Sequence, residues 1–166
     1  GSVENRCRFF LEVIEGSRGR VGKEYPLVAR ISGDEFFADG YHLDEAKYIA
    51  RMGEEAGLDA ISIVPAGRET TLPLTNGFAP KGAFVYLSEQ IKKEVRIPIL
   101  TAHITDIFLA EEVLREGKAD FVVLARPLLA DPEVVEKARE GRFDDICPCI
   151  RCCQGCYDFV LAYRPV

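Results

Sequence analysis

The sequence predicts an α/β fold in which four parallel strands alternate with helices. Three observations predict it. Short apolar runs recur, and each is followed by a turn and a stretch with helical spacing. The runs lack strict apolar–polar alternation, as strands buried on both faces do. Strand–helix alternation at this spacing calls for parallel βαβ units with right-handed crossovers. Four such strands make a small open sheet, and they are also half of an eight-stranded barrel, whose usual length is roughly 250 residues.

The elements follow in chain order. The first helix places Cys7, Phe10, Leu11 and Ile14 at i, i+3, i+4 and i+7, with Ser2 as N-cap. The first strand is Pro26 to Ile31. The second helix carries Ala46, Ile49, Ala50 and Gly53 on one face and stops at Gly57. The second strand is Ala60 to Val64. Phe84, Leu87, Ser88 and Ile91 mark the third helix, and Ile97 to Thr101 the third strand. The fourth helix starts near Thr105 and Asp106, runs through Ile107, Ala110 and Leu114, and stops at Gly117. Phe121 to Ala125 is the fourth strand. The fifth helix opens with Asp131 as cap and Pro132 at its first position, and ends at Gly141. Residues 142–166 leave this rhythm and hold most of the cysteines.

Composition limits the function classes. With 166 residues, 48% hydrophobic and 29% charged, the chain can bury a real core, which excludes a disordered or fibrous protein. A net charge of −6 argues against a broad nucleic-acid surface. No apolar run is long enough to span a membrane, and no basic start with an apolar run reads as a secretory signal. The expectation is a cytoplasmic protein with neither a nucleic-acid nor a membrane partner.

Cys7 stands apart, whereas Cys147, Cys149, Cys152, Cys153 and Cys156 crowd into ten residues. A secreted disulfide scaffold spreads its cysteines to close loops, so a reduced metal site fits this crowding better. Cys149-x2-Cys152-x3-Cys156 offers three thiolates on a tight turn, suited to iron–sulfur or zinc. Cys147 and Cys153 are spare: either serves as a fourth ligand or has no metal role.

Other residues carry binding chemistry. Arg30 interrupts an apolar strand near its C-terminal end, the end at which parallel α/β folds bind ligands. It reads as a ligand contact or as the partner of Asp34 or Glu35. Arg126 follows the last strand directly and is placed to meet an anion at the same rim. The loop Ala102-His103-Ile104-Thr105 leads into a helix N-terminus, where backbone N–H groups and the helix dipole favour phosphate. The long polar loop from Pro65 to Pro80 holds Arg68, Glu69, Thr70 and Thr71, which read either as substrate contacts or as a surface excursion. His42 precedes a helix and reads as a surface or capping residue.

The same residues resemble a known family. The run from Gly1 to Phe9, the strand Leu27 to Ser32, the stretch Ala119 to Pro132 and Cys149-Ile150-Arg151-Cys152-Cys153-Gln154-Gly155-Cys156 are together similar to the C-terminal half of the flavin barrel of the Old Yellow Enzyme family. The branch resembled is the iron–sulfur one that includes 2,4-dienoyl-CoA reductase. The resemblance implies half of a (β/α)8 TIM barrel over residues 1–141 and a partial cluster segment over 142–166. It implies FMN, a 4Fe-4S cluster, NAD(P)H in the parent enzyme, and reduction of an enone or enoyl-CoA substrate. By similarity, Arg30 faces the flavin ring, Ala102, His103, Ala125 and Arg126 lie at the FMN phosphate, and Cys149, Cys152 and Cys156 hold the cluster. No catalytic proton donor carries over, because Arg68 stands where that branch has a histidine before Glu69, and the loop at Ala102-His103 is one residue shorter than the family's.

The family's fourth cluster cysteine falls at about position 168 by its spacing, beyond Val166. The expectation is therefore a piece of a larger oxidoreductase, inactive alone, that self-associates through exposed barrel edges. A second reading is a non-catalytic half-barrel that binds a phosphate ligand or structural zinc.

Overall fold

A computed structural model describes residues 1–65, 77 and 79–163. Four parallel strands lie in the order β1 (Val28–Asp34), β2 (Ala60–Pro65), β3 (Ile99–Thr101) and β4 (Phe121–Val122). The helices are α1 (Val3–Val21), α2 (Leu43–Glu55), α3 (Val85–Lys92), α4 (Ile107–Arg115), α5 (Arg126–Ala130), α6 (Val134–Arg139) and α7 (Tyr157–Leu161). The predicted α/β class and the four parallel strands are thus observed.

Local chemistry explains the helix ends. The Ser2 side chain accepts from the N–H of Asn5 to start α1, and Gly22, at φ 79°, ends it. Asp106 caps α4 by accepting from the N–H groups of Phe108 and Leu109 at 3.0 and 3.3 Å. The expected faces of α1, α2 and α3 are buried through Cys7 and Ile14, Ala46 and Ala50, and Leu87 and Ile91. On α4 the buried pair is Ala110 and Val113, while Leu114 is 40% exposed, so that helix is rotated from the expected face. The expected fifth helix is α6, which starts at Val134 with Glu133 and not Asp131 at its N-cap position, and a short helix that was not expected, α5, precedes it.

One face of the sheet carries the helices. Ile31, Ile61, Ile63 and Ile99 point to it and pack with Ile14, Ala46, Ala50, Leu58, Leu87 and Ile91 in one core. A smaller cluster joins Val85, Ile104, Ala110, Val113 and Ala119 near β4. Gly33 is needed for this packing: a Cβ there would stand 2.9 Å from both Ile63 Cγ2 and Leu87 Cβ. Neighbours in register share a face, so Arg30, Ser62, Leu100 and Phe121 lie together on the opposite side. That side is open, with Val28 57% and Phe121 56% exposed.

The strand limits differ from those expected. β1 starts two residues later than Pro26 and continues to Asp34, so Arg30 is its third residue of seven and not near its C-terminal end. Arg30 is also exposed, because β1 is an edge strand whose outer ladder and open face meet solvent. β4 is only Phe121–Val122, although the N–H of Val123 still reaches the Thr101 carbonyl at 2.8 Å.

Candidate functional site

Described residues that come after each of the four strands lie together at one rim. Phe36 follows β1, Phe84 follows β2, His103 follows β3 and Arg126 follows β4. The rings of Phe36 and Phe84 are 5.7 Å apart, and those of Phe84 and His103 meet edge to face at 6.1 Å. Phe36 and His103 both have left-handed backbones, at φ 52° and 64°, which bulky residues seldom adopt. Strain of this kind gathers where the surrounding structure has a geometry to enforce.

Burial pushes the His103 imidazole down to about 4, and the nearby Arg126 charge adds to the effect. His103 is therefore neutral at pH 7, and the positive charge of this corner is the Arg126 guanidinium. Ala102 is buried and donates its N–H to the Ile63 carbonyl at 3.1 Å, so it contributes surface and not a free donor. The expected phosphate-binding N-terminus of α4 is occupied differently: its N–H groups are taken by Asp106, which also pairs with Lys81. Ala125 is exposed and directly precedes Arg126 at the start of α5. Arg30 lies lower on the open face, where its Nε donates to Ser62 Oγ at 3.3 Å.

The cysteine segment packs beside Arg126. Cys149, Cys152 and Cys156 border one cavity of about 260 Å3 with Arg126, Leu129 and Ala130. All six cysteines are free thiols. Among the described residues no three His, Cys, Asp or Glu side chains are close enough to hold a metal ion, so the sulfurs share a cavity without being drawn to coordinating distance. The donor set, thiols on an apolar-walled cavity, suits an iron–sulfur group in kind. Asp131 anchors the segment from below. It is buried, pairs with Lys137 at 2.8 Å and accepts the N–H of Cys147 at 3.0 Å.

The model of the NADH:flavin oxidoreductase / NADH oxidase family matches residues 1–145. The chain belongs to that family. As a member of it, the chain is 45% identical over 159 residues to the NADH oxidase of Thermoanaerobacter brockii, covering 94% of itself and 24% of that protein. It is 31% identical to the cinnamate reductase of Clostridium sporogenes over 175 residues, covering 94% of itself and 26% of the relative. The fold matches a 2-naphthoyl-CoA reductase in complex with 2-naphthoyl-CoA at a TM-score of 0.94 and 34% identity, over 99% of this chain and 25% of that one. The chain thus spans about a quarter of the length of these relatives.

The sequence-derived residues of this family member fall into three groups. His103 and Arg126 meet at the rim. Arg126 and the three motif cysteines share the sulfur cavity. Arg30 stands apart on the open face with Ser62. Arg68, Glu69, Thr70 and Thr71 lie outside the described residues. His42 holds the N-cap position of α2 without capping it, and its Nδ1 lies 3.0 Å from Asp34 Oδ1. Sequence reasoning missed Phe36, Phe84 and Asp131's hold on Cys147. The position of Phe36, two residues beyond β1, was the available signal, whereas Phe84 is the residue before α3 and gave none of that kind. Among the described residues no helix is long and apolar enough to cross a membrane.

Proposed function

We propose that this chain is the FMN-binding part of a reductase of activated C=C bonds, with NAD(P)H as the parent enzyme's electron source. The observation that supports it best is the position of Arg126, at the end of β4, beside both His103 and the sulfur cavity. A phosphate dianion calls for a fixed cation at such a strand end, and Arg126 supplies one. Ala125 and Ala102 line the approach to it. The neutral His103 ring offers the phosphate a single N–H and adds no charge.

Bound FMN supplies hydride transfer to the electron-poor carbon of an alkene conjugated to a carbonyl. Arg30 projects from the open face, where its charge favours the electron-rich, reduced form of a ring lying over the sheet. Ser62 steadies the guanidinium from the neighbouring strand. Phe36 and Phe84 shield the rim from water on the side of β1 and β2. Cys149, Cys152 and Cys156 are the thiolates that would hold a 4Fe-4S cluster for single-electron delivery. The names of the cinnamate and 2-naphthoyl-CoA reductases support an enoate or acyl-CoA substrate class.

The test is an anaerobic half-reaction. The protein is loaded with FMN, photoreduced, and mixed with cinnamate. Return of the oxidised flavin spectrum with formation of the saturated acid supports the reading. Failure to retain FMN contradicts it.

A further inference from the structure

The rim and the sulfur cavity meet at one contact. Arg126 Nη1 lies 3.8 Å from Cys153 Sγ, within reach of an N–H donating to sulfur. Cys153 differs from the cysteines around it: it is 8% exposed, whereas Cys147 and Cys152 are exposed. Its backbone is left-handed, at φ 62°, and its carbonyl accepts the N–H groups of Tyr157 and Asp158 at 3.2 and 3.3 Å. Its backbone is therefore tied to the first turn of α7 while its sulfur lies on the arginine.

We propose that Cys153 is a positioning residue, whose sulfur holds the Arg126 guanidinium toward the strand-end rim, and not a ligand of the metal group. The inference rests on the FMN reading above. A long arginine side chain gives up rotamer freedom when it clamps an anion. An acceptor already in place reduces that cost at the moment of binding. Because sulfur is a weak acceptor, the effect is modest.

The test compares wild-type protein with Cys153→Ala and Cys153→Ser, each checked for fold by circular dichroism. FMN affinity is read from flavin fluorescence. Iron per chain is read after anaerobic reconstitution with ferrous iron and sulfide. The expected result is an FMN affinity about three- to tenfold weaker in Cys153→Ala, the scale of one weak hydrogen bond. Cys153→Ser, which keeps an acceptor, recovers most of it, and iron content is equal in all three. Equal FMN affinity in wild type and Cys153→Ala overturns the positioning role and leaves the FMN reading intact. Loss of iron in Cys153→Ala, matching that in Cys152→Ala, makes Cys153 a ligand and also overturns it. A wild-type protein that binds no FMN removes both readings. Should the alanine variant not fold, nitrogen-15 NMR of wild-type Arg126 decides: slowed rotation of the guanidinium supports the contact, and free rotation overturns it.

Discussion

Arg30 and Ser62 stand opposite one another across the β1–β2 pair, and the arginine Nε donates to the serine hydroxyl at 3.3 Å. The pair is on the face opposite the described helices that pack in the core. Arg30 is exposed, so its charge is not a burden that the fold must neutralise. Arg30→Met keeps an unbranched arm and removes the charge. The expected outcome is FMN binding about tenfold weaker, the order of one charge-assisted contact, with the melting temperature nearly unchanged. Flavin titration and a thermal melt check this. A large fall in melting temperature with unaltered FMN binding would make Arg30 structural.

His103 gives the fold a pH dependence of known sign. Its folded value is about 4 against an ordinary 6.5, because burial, and then Arg126, disfavour the imidazolium. Between those values the unfolded chain binds the extra proton, so stability falls as pH drops from about 6.5 toward 4 and is unaffected by this group above that window. The full effect is at most about 3 kcal/mol. Urea melts at pH 7 and pH 5 capture the upper part of that window. His103→Gln is expected to flatten the difference between the two.

Asp131 couples the sheet to the cysteine segment. Its carboxylate is held below the usual range by its hydrogen bond to Lys137 and by the N–H groups of Cys147 and Glu133. That contribution is present above the ordinary carboxylate range and is lost as pH falls through the lowered value. Asp131→Ala removes the nearer carboxylate partner of Lys137, leaving Glu133 at 3.8 Å, and frees the Cys147 amide. The expected outcomes are a melting temperature lower by several degrees and faster hydrogen exchange at Cys147. Unchanged exchange there would show that Asp131 does not hold the segment.

The open face predicts association. Val28 and Phe121 are more than half exposed on a sheet with two unpaired edges, β1 and β4. Sedimentation velocity is expected to show concentration-dependent species heavier than the monomer, and Phe121→Lys to reduce them. A clean dilute monomer that persists on concentration would contradict the expectation.

Legibility in the sequence followed the range of the interactions. Ser2 and Asp106 act within a few residues of themselves, so the helix starts they set were readable. Ile14, Ala50 and Leu87 showed their burial through helical spacing. Arg30 stood out in the sequence as a charge in an apolar strand but not as an exposed edge residue, because edge or centre depends on which strands lie beside it. Pro26 and Pro98, which lack an N–H, look like strand residues by hydropathy alone. The cap expected at Asp131 is Glu133 in the structure, whose N–H Asp131 accepts, and the bond from Asp131 to Cys147, which spans sixteen residues, was not legible. The contact between Arg126 and Cys153, twenty-seven residues apart, was hidden for the same reason.

The central claim is that Arg126 is the cation of a flavin-phosphate site. The most direct measurement is calorimetric titration of FMN and of riboflavin, which lacks the phosphate, into wild-type protein and Arg126→Ala. The account predicts that wild type prefers FMN to riboflavin and that Arg126→Ala lowers FMN affinity by about tenfold or more, to near that for riboflavin, as loss of a charge-assisted phosphate contact requires. Equal binding of FMN and riboflavin by wild type, or an Arg126→Ala variant that still prefers FMN, would contradict it.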